Sequence, residues 1–466
     1  MILLLGGSCA ALREGGILSV SPRNRPSGHT AGPPQQVAQA SLGALTATKW
    51  RLPNGLDVIL MPDGAATSVS YMTWFRVGSR SEDEAAGETG LAHLFEHLMF
   101  TQTKKREAGA FDSSIEAAGG NANAMTYYDF TAYTDDLPPA ALELAVQLES
   151  DRMVNLDLRK NQVDNERDVV IEERLATVED NVDGLLDEMV FKQAFRNHPY
   201  RWPVMGWMKD IKAFTEKKAL AFYKKFYAPN NAVVVITGKF DPVPALELVV
   251  AYYGGISPSR NLPTDNAQPE RAPDKEVRAA VQHPVPADRL VIGFPAPSFG
   301  DADRAAYEVI NELLMGGPSS RLYRKLVVDK EIASSVRGEV TPTKDPGLFM
   351  LWVQMTKRNT AAEAEALILA EIAQLAVQPP SAAELEKAKA RLETAFWRQL
   401  DASHGRAELL GEFEVTCNDF RRLFARPAEY EKVSADDVRR VTAAYLGPGA
   451  RSVVVARPKG DSPGAS

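Results

Sequence analysis

The chain has 466 residues, 45% of them hydrophobic, with a net charge of −8 and acidic and basic residues interleaved along its length. That length exceeds one ordinary core and suits two domains of about 200 residues each, and the mixed charge offers no basic stripe for nucleic acid. Its two cysteines, Cys9 and Cys417, exclude a disulfide framework and a thiolate metal site, and no apolar run reaches the roughly 18 residues that a membrane span requires.

Taken in order, the opening MILLLGGSCAALREGG has an apolar run of about four residues, below the 7 or more of a secretory segment, and no basic start. Cys9 follows Gly-Gly-Ser without the leucine usual ahead of a lipid-attachment cysteine. Residues 20–44 are rich in Pro, Gly, Ser and Gln and have no periodicity, so 1–45 reads as a disordered tail or a poor signal segment. Order is expected from residue 46, where TKWRLPNGLDVILMPD sets two strand patterns around an Asn-Gly pair, a strong hairpin signal. TEKKALAFYKKFYAPNNAVVVITG (215–238) gives a Thr cap, an amphipathic helix, a Pro turn and a buried strand.

The same order returns without a gap in SADDVRRVTAAYLGPGARSVVVAR (434–457). Pro229 falls on Pro448, Phe226 on Tyr445, and Val233 on Ser452. This is an internal duplication: a first domain over 46–254, a linker over 255–276 and a homologous second domain over 277–460. Hairpin-rich alternation of strands and helices makes each copy an α+β unit, a mostly antiparallel sheet with helices packed on it.

The chemistry concentrates in GLAHLFEHLMF (90–100), which holds two of the chain's six histidines. On a helix, His93 and His97 stand on one face with Glu96 beside them, and Leu91, Leu94, Phe95 and Leu98 cover the other faces. A buried polar stripe of that kind is costly unless paired or metallated. Two neutral imidazoles suit zinc, and a catalytic zinc takes three protein ligands and keeps a fourth position for water. In NQVDNERDVVIEERLATVED (161–180), Glu166 and Glu173 share a helix face; Glu173 is the expected third ligand, and Glu166 stands one layer back to steer a ligand or the attacking water. In the second copy, the alignment of Leu98-Met99 with Leu314-Met315 places Val309 on His93 and Leu313 on His97, so the scaffold repeats and the ligands do not. His29, His198, His283 and His404 are scattered and read as packing, capping or solvent residues.

The H-x-x-E-H motif with Glu173 downstream resembles the M16 group of inverted-zincin metallopeptidases, the pitrilysin, insulinase and mitochondrial-processing-peptidase type, in its short single-half form. GGNANAMTYYDFTAY (119–133), HPYRWPVMG (198–206) and GGPSSRLYRKL (316–326) are similar to recurring segments of that family. The resemblance implies a LuxS/MPP-like metallohydrolase fold and a Zn2+ ion on His93, His97 and Glu173, with Glu96 as general base and Glu166 assisting. It also implies an edge strand at which Asn123 and Ala124 bind an extended, unfolded peptide substrate. One departure counts: where self-sufficient relatives carry an Arg and a Tyr, LVVDKEIAS (326–334) has Val327 and Ser334. That implies a heterodimer with a second M16-like subunit supplying both groups, rather than a homodimer. Family habit points to residence outside the cytoplasm, periplasmic or secreted, in a bacterium. A non-catalytic M16-like binding or scaffolding subunit is the alternative reading.

Overall fold

The computed structural model of the chain describes residues 32–459 except 266, 269, 271–274 and 448. Cys9, His29 and Pro448 therefore lie outside the described residues. Strands β1 (Gln35–Leu42), β2 (Leu45–Arg51), β3 (Asp57–Pro62), β4 (Val69–Phe75), β5 (Asn121–Thr126), β6 (Thr131–Leu137) and β7 (Ala232–Gly238) form one sheet in the order β1-β2-β3-β7-β4-β6-β5. With them run helices α1 (Leu91–Leu98), α2 (Ala110–Ala117), α3 (Leu142–Asn155), α4 (Lys160–Arg174), α5 (Val182–Ala194), α6 (Met208–Ile211), α7 (Glu216–Phe226) and α8 (Pro242–Tyr253).

The second sheet comprises β8 (Val277–His283), β9 (Arg289–Ala296), β10 (Ala333–Val340), β11 (Gly347–Met355) and β12 (Ser452–Pro458) in the order β10-β11-β9-β12-β8. Its helices are α9 (Arg304–Met315), α10 (Ala361–Val377), α11 (Ala382–Asp401), α12 (Ser403–Cys417), α13 (Arg422–Lys432) and α14 (Ala435–Tyr445).

Read from the parallel pair outward, β3-β7-β4-β6-β5 and β8-β12-β9-β11-β10 are one topology, each with a single parallel pair and antiparallel neighbours. The superposition of Val233 on Ser452 is kept to the residue. Val233 pairs with Asp57 and Trp74, and Ser452 pairs with Val277 and Gly293. The fold is α+β and duplicated, as the hairpin-rich pattern requires. Thr215 and Ser434 cap α7 and α14 by accepting from backbone N–H groups, which fixes where both repeat helices start.

Order begins earlier than residue 46. Gln35–Leu42 is a strand paired with β2 across the Gly43-Ala44 turn. Its side chains are exposed or half-buried, because an outer strand gains its stability from main-chain pairing and needs no apolar pattern. The linker is also more than a connector among its described residues. Asp265 pairs with Arg80 and Lys344, and Glu270 accepts from the N–H groups of Arg196, Asn197 and His198.

Neither half closes its own sheet. Val234 and Ile236 of β7 enter a core with α1, α3, α7 and α8, while Val233 and Val235 on the other face meet Leu410 and Phe413 of α12 from the second half. In return, Leu186 and Val190 of α5 pack on Val291, Met350 and Val454 of the second sheet. The continuous apolar run VVVI reflects burial on both faces. At about 2 kcal/mol per buried aliphatic side chain, this reciprocal packing holds the halves as one unit.

Candidate active site

α1 is built to be immobile. Leu91, Leu94, Phe95 and Leu98 are fully buried, and Phe95 stacks on Phe222 and Tyr223 of α7. The N-terminus is closed by a carboxylate from outside the helix: Glu82 accepts from Gly90 N and Ala92 N, each at 2.8 Å. Burial pushes the Glu82 carboxyl well above the usual range, against the pull of those two N–H groups, so this cap sits in a dry pocket. At the other end the Tyr133 hydroxyl donates to Phe95 O at 3.0 Å. The polar stripe is thereby held toward α4.

His93 is buried and His97 half-buried, with ring centroids 5.0 Å apart. Nε2 of His97 lies 3.2 Å, and Nε2 of His93 3.6 Å, from Oε2 of Glu173. One ligand atom from each of the three residues falls within 4.8 Å of the others, and no other such group exists among the described residues. Four donors at 2.0–2.1 Å around a tetrahedral ion stand about 3.3 Å apart, so these separations fit a zinc ion. Glu173 Oε2 is buried and makes no well-formed hydrogen bond, and His93 Nδ1 is likewise without a partner. A carboxylate oxygen facing two imidazole nitrogens in that state is satisfied by a cation.

The three groups and their neighbours perturb one another's protonation. The approach of His97 holds the Glu173 carboxyl below its usual range, against desolvation. Burial draws the His93 imidazole down toward the neutral form that binds metal. At His97 burial also lowers the pKa, but the Glu173, Glu96 and Glu166 carboxylates win and raise it. Glu166 is brought into the neighbourhood without a bond: its Oε2 is 3.7 Å from His97 Nδ1, beyond hydrogen-bond distance, and burial pushes its carboxyl up.

Glu96 is not among the three converging residues. Its Oε2 accepts a 2.6 Å hydrogen bond from Thr126 Oγ1, at the end of β5. Strand β5 is an edge, paired only with β6 among the described residues. Tyr127 N donates to Phe130 O at 2.8 Å, which marks a hydrogen-bonded pair beyond the strand's end. Counting back by the antiparallel alternation, the N–H and C=O of Ala124 face the open side. Consistent with this, Ala124 N meets the Asn123 Oδ1 at 2.9 Å instead of a β6 carbonyl. Asn123 is itself exposed. Just past Thr126, Tyr127 and Tyr128 line a cavity of about 290 Å3 with Asp187 of α5 and Trp352 of β11, so residues of both halves border this cavity.

In the second half, Val309 and Leu313 are buried in the core where the histidines would stand. Val327 packs against the same core, and the exposed Ser334 donates to Gln354 O at 3.3 Å. Sequence reasoning missed Glu82 and Thr126. For Thr126 the signal was available, since it closes the same strand as Asn123 and Ala124; for Glu82, eight residues before the helix, there was none.

Comparison with known proteins adds to this geometry. The family model described as insulinase (peptidase family M16) matches residues 58–207, and that of the peptidase M16 inactive domain matches residues 213–392. The zinc protease PqqE of Helicobacter pylori is 30% identical over 403 residues, covering 85% of this chain and 89% of that protein. A probable mitochondrial-processing peptidase subunit beta of Arabidopsis thaliana is 26% identical over 412 residues, covering 85% of this chain and 75% of that protein. The crystal structure of a protease from Helicobacter pylori superposes with a TM-score of 0.85 at 29% identity, covering 88% of this chain and 99% of that one.

Proposed function

Because the chain belongs to peptidase family M16, we propose that it is the catalytic, zinc-bearing subunit of an endopeptidase acting on unfolded peptides. The convergence of His93 Nε2, His97 Nε2 and Glu173 Oε2 beside an open strand edge carries this reading. Those three residues would hold the zinc, which when bound would supply Lewis acidity for water activation. Glu96 takes the proton from the attacking water and returns it to the leaving amine; its carboxylate is kept in one orientation by Thr126. The outward-facing main-chain groups at Ala124 accept an extended peptide as an added strand once the exposed Asn123 side chain releases the Ala124 N–H, which selects substrates able to present a bare backbone. Glu166, near His97 but not bonded to it, tunes the field at that imidazole.

The partner follows from what this chain lacks. Neither Val327 nor Ser334 itself offers the cation and the phenol that a developing oxyanion calls for. A second M16-like subunit brings both, so the working enzyme is a heterodimer. The test is to purify the chain alone and with the protein that copurifies with it, then follow cleavage of a flexible fluorogenic peptide. Turnover that needs both chains, stops with a chelator and returns with zinc supports the reading. Full turnover by the isolated chain overturns the partner requirement, and a chain that never retains zinc overturns the whole.

A further inference from the structure

The two ligand-bearing helices are far apart in the chain, and a zinc site tolerates donor positions only within about 0.2 Å. Something must fix the distance between α1 and α4. α4 cannot do this alone, because after Arg174 the helix widens into a π turn (Leu175–Glu179), leaving Glu173 one residue short of the end of the regular helix.

The loop from Pro203 to Trp207 touches both helices. Gly206 (φ 82°) lies against Gly90 (φ 95°), the residue that starts α1. A Cβ on Gly206 would fall 2.1 Å from Thr89 O, and one on Gly90 2.4 Å from Met205 O, so the two backbones approach as only glycines allow. Trp207 N also donates to Thr89 Oγ1 at 3.0 Å. On the other side, Gly206 O accepts a 2.8 Å bond from Arg174 Nη1, in the residue that follows Glu173. Arg174 Nη2 reaches Glu188 Oε2 of α5 at 2.7 Å, and its side chain is 4% exposed. Thr177 Oγ1 bonds the carbonyl of Glu173 at 2.7 Å and Met205 Sδ at 3.3 Å.

We propose that this loop is a bracket that sets the donor spacing, with Arg174 as the positioning residue that ties Glu173 to it. The proposal rests on the zinc-site reading for the identity of the ligands. An arginine suits this place because its rigid planar fork holds Gly206 O and Glu188 in fixed directions, whereas a lysine ammonium is a compact donor on a flexible stem and fixes neither. The guanidinium touches none of the ligands, so its effect runs through backbone placement.

The experiment measures zinc affinity of the full chain by competition with a chromophoric chelator, for wild type, R174M, R174K and the control R304M. Arg304 is an equally buried arginine that bonds the carbonyls of Val340 and Thr341 in the second half and makes no hydrogen bond to α1, α4 or the 203–207 loop. Expected are a 10- to 100-fold weaker zinc affinity for R174M, an intermediate loss for R174K, and no change for R304M despite a comparable drop in apoprotein melting temperature. Should R174M fail to fold, R174K decides. R174 variants that bind zinc within twofold of wild type overturn the bracket, as does an equal loss in R304M. Absence of stoichiometric zinc in the wild type is a different failure, that of the site reading itself.

Discussion

Replacing Glu96 with Gln isolates one atom's chemistry. The side chain keeps its length and shape, and its amide oxygen can still accept the 2.6 Å bond from Thr126, so the rotamer is retained. Glu96 is not one of the three groups that converge on the metal position, and zinc content should therefore equal that of wild type. What is lost is the ability to take up a proton, and a positioned general base contributes about 10²- to 10⁴-fold. At 1.36 kcal/mol per factor of ten, the barrier rises by about 3–5 kcal/mol. Because the groups at Ala124 are untouched, KM should stay within about twofold while kcat falls. The assay is cleavage of a flexible fluorogenic peptide by the two-subunit enzyme, with zinc measured on the same samples by atomic emission. An E96Q enzyme with kcat within threefold of wild type, or one that has lost its zinc, would refute the assignment.

Further outcomes follow from other parts of the molecule. A124P removes an N–H that faces the open edge and not the ladder, so the melting temperature should hold. KM should rise about tenfold as one main-chain bond to substrate is lost, as initial-rate kinetics will show. Gly411 of α12 lies so close to Trp74 that an added Cβ would sit 2.1 Å from the ring; G411A should cost about 3 kcal/mol in urea unfolding and leave zinc affinity unchanged. Burial and the neighbouring Glu408 push the Glu412 carboxyl up to about 7. Folded protein then holds a proton that the unfolded chain has released, so stability falls as pH rises from about 4.5 to about 7, by at most about 3 kcal/mol. E412Q should flatten that part of the curve, measured by denaturant titration at pH 5 and pH 7.5.

The amino-acid sequence by itself determined the duplication, the α+β class and which of the candidate side chains share a helix face. Each of these is written in local periodicity: the cap-helix-turn-strand order recurs, two histidines stand one helical turn apart, and seven residues bring Glu166 and Glu173 to one face. The hairpin at Asn54-Gly55 was legible for the same reason. Strand β1 was not, because an outer strand held by main-chain bonds carries no apolar alternation to detect.

Only the tertiary structure decided how the local pieces meet. Exchange of α5 and α12 between the halves, the Glu82 cap on α1, the Thr126 bond to Glu96 and the Gly206 bracket all join residues whose spacing in the chain has no fixed relation to their spacing in space. An apolar helix face states that it must be covered but not by which neighbour. A buried carboxylate states that it needs a donor but not which one. Those choices are settled by packing two sheets and their helices into a single close-fitting solid, where one arrangement satisfies the buried groups together.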